Sequence, residues 1–243
     1  MILIHFTHVK FRSTLSLKGG VTMTKINKKN TADVLFRISK LLGSFLIISF
    51  GIIFMLNAGI GMNAWSTLAM GVSKSFHISF GQANQIIGLA ILLVMGVFKI
   101  YPGIGTILDL TLIGFMVHII EQLHVVSTPN ELSMQLLMCF TGLLLFCYGL
   151  LIYYRCGLGI GPRESIVIAL VKKTNKGFSA VKTTIESSVF IFGILLGGDF
   201  GIGTILITIF TGRIMETIFT LHNYDIKNAE HLDLRRTLDY IRA

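Results

Sequence analysis

Long apolar runs alternate along this chain with glycine-rich breaks and with short stretches where apolar and polar residues mix. Leu41 to Leu56, Ile86 to Phe98 and Leu136 to Ile152 contain no Asp, Glu, Lys or Arg. Each approaches the ~20 residues needed to cross a ~30 Å hydrocarbon layer, so the runs predict spanning helices. Two mixed stretches, Asn63 to Lys74 and Arg163 to Lys173, predict short amphipathic helices. In the second only Ile166 to Val171 is continuously apolar, which covers ~9 Å at 1.5 Å per residue and cannot cross a bilayer. Both are read as re-entrant or interfacial half-helices. Boundary signals agree: Ser79 with Gln82 reads as a capping box, Thr106 with Asp109 resembles one, and Pro162 stands where a first-turn proline belongs.

The chain also repeats itself. Shifted by 98 positions, Gly103-Ile-Gly-Thr-Ile-Leu108 falls on Gly201-Ile-Gly-Thr-Ile-Leu206, six identities in a row. The same ungapped shift pairs Gly51 with Gly149, Gly59 with Gly157, Gly61 with Gly159, Phe80 with Phe178 and Gly114 with Gly212. Two tandem membrane repeats follow, 36–123 and 134–221, flanked by a basic N-terminal tail over 1–35, a loop at 124–133 and a C-terminal tail over 222–243. Each repeat runs long helix, glycine break, half-helix, second helix, glycine break, third helix. The expected fold is therefore an all-α membrane protein with three spanning helices and one half-helix per repeat.

Composition places the chain in lipid. It is 53% hydrophobic and 14% charged, against about 45–50% and about 25% in ordinary soluble domains. Core helices of a large soluble enzyme would not recur so often in a short chain. Met1 to Gly20 lacks a secretory pattern, and Met23 is an alternative start. Cys139, Cys147 and Cys156 lie in or beside one apolar run, where they read as small packing residues rather than a disulfide framework.

Three crossings per repeat would make the second repeat enter from the opposite side, inverting it. With the N-terminus inside, the tail's Lys and Arg, Lys99, the Arg155 to Lys182 region and everything from Arg213 onward fall inside. Only Lys74 of the 21 Lys and Arg residues falls outside. His124 to Ser133 and the turn around Asp199 carry no Lys or Arg, as external loops should. A rival arrangement, with the half-helices spanning, gives eight crossings and parallel halves; the shortness of Arg163 to Lys173 speaks against it. The net charge of +9 is spread over loops rather than clustered with aromatics, so anionic headgroups and not nucleic acid are the expected partner.

Candidate chemistry concentrates in the second repeat. Lys182 and Glu186 are four apart on one helix and share a face. Arg163 and Glu164 open the preceding half-helix. Ionisable groups at membrane depth are usually paired and face the bundle interior or a wet cavity, which suggests Arg163 with Glu186 and Glu164 with Lys182. A purely structural clamp on a re-entrant loop is the alternative. Arg213 with Glu216 forms a second candidate pair, with Asp109 and His118 behind it; His118 alone reads as a packing residue. The glycines Gly59, Gly61, Gly103, Gly105, Gly157, Gly159, Gly161, Gly201 and Gly203 mark backbone breaks. Such breaks either expose backbone groups to a solute or let helices pack closely.

The segment Gly157-Leu-Gly-Ile-Gly-Pro-Arg163-Glu164, then Lys182, Glu186, Leu196-Gly-Gly198 and Gly201-Ile-Gly-Thr204, resembles the YczE group of the YczE/YyaS/YitT bacterial membrane proteins. Glu164 stands where that group usually has Asp, and Lys182 where it has Arg. Gly59-Ile-Gly-Met-Asn-Ala-Trp65 is similar to the group's first-half element, with Ala64 in place of Pro and Ser66 in place of Asp. The resemblance spans about residues 38 to 222. It implies a multi-pass protein of the bacterial plasma membrane and no defined activity.

A permease or transporter-like protein for a small solute is the leading expectation, with Arg163, Glu164, Lys182, Glu186, Asn63 and Trp65 as binding or gating residues. A membrane scaffold or accessory protein is the alternative. An enzyme is not expected: there is no metal-ligand spacing and no phosphate loop with its Lys, and Ser179 in Gly177-Phe-Ser179-Ala180 reads as a helix N-cap. No cofactor is expected, and active transport would need an ion gradient or a separate ATPase.

Overall fold

The computed structural model describes residues 28–226, 228–229 and 231–242. The choice between Met1 and Met23 and the basic residues before Lys28 lie outside the described residues. Nine helices run in order: α1 Lys28–Asn57, α2 Ala64–Phe76, α3 Phe80–Val97, α4 Ile104–Gln122, α5 Leu132–Cys156, α6 Pro162–Thr174, α7 Phe178–Leu195, α8 Ile202–Leu221 and α9 Leu234–Arg242. Six of them, α1, α3, α4, α5, α7 and α8, are long and apolar enough to cross a membrane. Leu89, Leu93, Val97, Leu137, Phe140, Phe192 and Leu195 all point outward and exposed, an apolar jacket that lipid would cover. The protein is thus an all-α membrane protein. At 13 residues each, α2 and α6 extend only about 20 Å, short of the ~30 Å layer.

Local chemistry sets the helix ends. Ser79 Oγ accepts from the Gln82 N–H at 3.2 Å while Gln82 Oε1 accepts from the Ser79 N–H at 2.9 Å, the reciprocal cap that the sequence predicts. Asn63 caps α2 by accepting from the Ser66 N–H at 2.9 Å, and Pro162 occupies the first turn of α6. Two expected caps fall elsewhere. α4 begins earlier than Thr106, after an extended Gly103, so the Thr106 hydroxyl reaches back to the Gly103 N–H at 3.1 Å instead of forward to Asp109. Similarly α7 starts after an extended Gly177, which leaves Ser179 inside the first turn, not at the cap.

The centre of the bundle is the pair α1 and α5, which pack most extensively. A Cβ on Gly51 would meet the Phe146 nitrogen at 2.6 Å and the Gly142 carbonyl at 2.7 Å; one on Gly149 would meet the Ile48 nitrogen at 3.1 Å and the Ser44 carbonyl at 3.2 Å. Each position in the second set is one of the first set shifted by 98 positions, up or down the chain. Close approach of this kind is how helices associate in lipid, where burial against solvent contributes little.

The glycine breaks cross in the same reciprocal way. The Gly203 N–H donates to the Ile60 carbonyl at 2.9 Å, and the Gly105 N–H donates to the Leu158 carbonyl at 2.7 Å. Around them, α2 rests against α7 and α6 against α3, so each short helix packs on the other half of the chain.

The polarity of 222–243 suggests a solvated or surface-lying tail, and its described residues lie along the surface of the bundle, mostly exposed or half-buried. Ile226 and Thr237 are buried, the Leu232 N–H donates to the Gly157 carbonyl at 2.8 Å, and the Leu234 N–H to the Pro102 carbonyl at 3.2 Å. Tyr240 donates its hydroxyl to Asp33 at 3.1 Å and accepts from Asn30 at its carbonyl at 2.8 Å. The segment folds back because Gly157, Pro102 and Gly103 leave backbone exposed at the breaks, and it supplies the partners.

Candidate functional site

The first turn of α6 and the first three turns of α7 bring Glu164, Lys182 and Glu186 together. Lys182 Nζ lies 2.6 Å from Glu164 Oε1 and 3.0 Å from Glu186 Oε1, with its side chain 2% exposed. The expected Glu164–Lys182 pair is formed, and the helical i, i+4 spacing adds Glu186 to the same ammonium. Two short, charge-assisted contacts compensate a lysine that alone would be too costly to bury. Glu164 Oε2 and the hydroxyls of Tyr153 and Tyr154 are buried beside this triad without a hydrogen-bond partner.

Arg163 does not pair with Glu186. Its guanidinium lies over the Trp65 ring, 4.9 Å from the centroid, and donates to Asn84 Oδ1 at 3.1 Å. It reaches Trp65 and Asn84 rather than closing an ion pair with the triad because consecutive residues of a helix project about 100° apart, and Glu164 already faces α7. Trp65 and Arg163 are each the second residue of their short helix, so the N-termini of α2 and α6 meet here.

Asp109 joins from α4, within a π-helical turn at Asp109–Ile113. A Cβ on Gly161 would sit 2.5 Å from Asp109 Oδ2, which puts the carboxylate at the N-terminus of α6, a helix with no side-chain cap of its own. A negative group is favoured at that end. Asp109, Glu164 and Glu186 thus face Arg163 and Lys182 in one cluster, formally one negative charge in excess.

The other candidates separate from it. Asn63 spends its side chain on capping α2. Arg213 and Glu216 close no ion pair among the described residues and instead line a groove of about 680 Å³ between α7 and α8, together with Ser179, Thr183 and Ser187. His118 meets Gln122 one turn on at 3.1 Å. The three cysteines are buried and unbonded to one another. Among the described residues no three His, Cys, Asp or Glu side chains gather as a metal site.

Sequence reasoning missed Asn84, Tyr153, Tyr154 and the central place of Asp109. The 98-position shift held a clue: it maps Trp65 onto Arg163 and Asn84 onto Lys182, so residues equivalent to the charged set are the ones that Arg163 touches.

Fold and cluster define a class: a helical multi-span membrane protein with a charged cluster where two short helices meet. Residues 35–220 match the family of unknown function DUF6198, and the chain belongs to it. It is 28% identical to an uncharacterized protein of Haemophilus influenzae over 74% of this chain and 81% of that one. It is also 27% identical to the uncharacterized membrane protein YczE of Bacillus subtilis, over 70% of this chain and 79% of that one. The expected YczE-like kinship therefore holds. No solved structure matches.

Proposed function

We propose that this protein is a permease or transporter-like protein for a small solute, built from two inverted halves, 36–123 and 134–221, with its site between them. The observation that carries the reading is the meeting of α2 and α6 at Arg163 and Trp65, beside the buried Glu164–Lys182–Glu186 triad. Short helices whose N-termini converge between halves, beside paired intramembrane charges, are how transporters hold solutes near the midplane. The reciprocal break contacts support the repeat, and an odd number of crossings per half would invert it.

Both termini face the cytoplasm of a bacterial plasma membrane in this reading, with anionic headgroups along the basic side. Lys74, the one Lys or Arg on the outer side, pairs with Asp199 at 2.7 Å, in the other turn assigned there. A cysteine at Thr128 should react with an impermeant thiol reagent in intact cells, and a cysteine at Lys176 only after lysis. The reverse pattern would refute the inverted arrangement.

Transport is tested with purified protein in sealed vesicles against a broad solute screen. One solute should accumulate or exchange, and Arg163→Gln should abolish that flux while the protein stays folded. A crosslink between cysteines at Lys74 and Asp199, tying α2 to the second half, should also stop it. A screen with no flux and no solute-dependent stabilisation, together with cellular activity that survives the crosslink, would establish the scaffold or accessory role instead. The reading assigns no reaction and no cofactor to the chain.

A further inference from the structure

Where the C-terminal segment crosses the break before α4, it borders an open cavity of about 300 Å³ with α6 as the opposite wall. The polar groups lining it are unequally used. The Thr106 and Ser165 hydroxyls already donate to the Ile160 carbonyl at 2.7 and 3.1 Å. Asp233 accepts from the Arg236 N–H at 2.7 Å and lies 3.7 Å from its guanidinium. Lys172 gives one proton to the Ala229 carbonyl at 3.2 Å, which leaves two. Both ring nitrogens of His231 are buried with no partner. Burial, with Lys172 beside it, pushes His231 down to about 4, so the ring is neutral and carries one N–H.

Lys172, Arg236 and His231 thus turn three donors toward this space against the single carboxylate of Asp233, and the buried His231 N–H is costly to leave unmade. Lys172 comes from α6, while His231 and Arg236 come from the C-terminal segment. Three donors approaching from two opposite walls suit an oxyanion with several terminal oxygens better than a flat carboxylate.

We propose that this cavity binds the phosphate group of an anionic ligand, which ties Lys172 to His231 and Arg236 and so clasps the C-terminal segment over the crossing of the breaks. The clasp acts at Leu232, whose N–H holds the Gly157 carbonyl at 2.8 Å and whose own carbonyl lies against Gly103. The phosphate is either free or carried by a phospholipid headgroup of the basic face. Neither source depends on solute transport.

Hydrogen exchange of the amides of 231–242, in the full chain reconstituted in nanodiscs, tests it. In phosphatidylcholine discs, inorganic phosphate should slow exchange about ten-fold at roughly ten times its Kd, and sodium chloride of equal ionic strength should not. The same slowing in phosphatidylglycerol discs without phosphate identifies the headgroup as the source. The Lys172→Met/Arg236→Met double variant should lose the effect while exchange in α5 stays as in the parent chain, and Lys172→Arg should keep it. No slowing by phosphate or by phosphatidylglycerol, slowing by chloride, or slowing that persists in the double variant would each overturn the proposal. A failed solute screen would leave it standing.

Discussion

Lys182→Met is expected to be among the most destabilising single substitutions in this protein. It removes the ammonium that lies 2.6 Å from Glu164 and 3.0 Å from Glu186, and leaves two carboxylates facing each other with side chains 12% and 9% exposed. Breaking one buried pair costs about 3–5 kcal/mol, mostly because the partner charge is stranded. Here two charges are stranded, so the upper part of that range is expected. Glu186→Gln should cost less, since Lys182 keeps Glu164. Unfolding in detergent, followed by circular dichroism, reads both. The triple variant Glu164→Gln/Lys182→Met/Glu186→Gln should recover more than half of the Lys182→Met loss, because a neutral cluster of similar volume strands nothing. Losses that simply add across the three positions would show that the groups do not interact.

Gly159→Ala should have a comparable effect through backbone geometry alone. Gly159 holds φ +103°, and a Cβ there would stand 2.7 Å from the Gly103 Cα and 2.9 Å from Thr106 Oγ. The left-handed region costs a non-glycine residue roughly 1–2 kcal/mol, and forcing an extra methyl into a close-packed contact costs about 1–3 kcal/mol more. The Thr106 hydroxyl cannot retreat without giving up the Ile160 carbonyl at 2.7 Å. Gly88→Ala and Gly114→Ala are the controls, because a Cβ at either position meets nothing within 4 Å. They should leave the melting temperature unchanged or raise it slightly, since alanine loses less entropy in a helix. Equal losses at Gly88 and Gly159 would mean that helix propensity, not the crossing of the breaks, sets the cost.

Much of the architecture was legible in the chain. Apolar runs report helices because lipid tolerates only backbone that satisfies its own hydrogen bonds, so α1, α3, α5 and their companions could be read from composition and period. The short helices were legible for the same reason, from runs too brief to span. Lys182 with Glu186 was readable because spacing along a helix fixes which side chains share a face, and Glu164 with Lys182 because charges at membrane depth are usually paired. Arg163 was not. Its neighbours Trp65 and Asn84 lie 98 and 79 positions away, and nothing in local spacing distinguishes a guanidinium that pairs with Glu186 from one that stacks on a ring.

The C-terminal segment marks the same boundary between local and long-range information. Its polarity suggests a solvated or surface-lying tail, and it does not reveal that Leu232 and Leu234 donate to Gly157 and Pro102. The unmet carbonyls exist only because the breaks of the two halves cross there. Asp109 likewise reaches the N-terminus of α6 only through a π turn in α4 and the bare Gly161 before α6. By itself, then, the sequence determined the helices, their approximate ends and the i, i+4 pair, all governed by interactions within a few residues. Which charges meet, what covers the breaks and where the chain ends its course were decided by tertiary packing, because those contacts join groups whose distance along the chain says nothing about their distance in space.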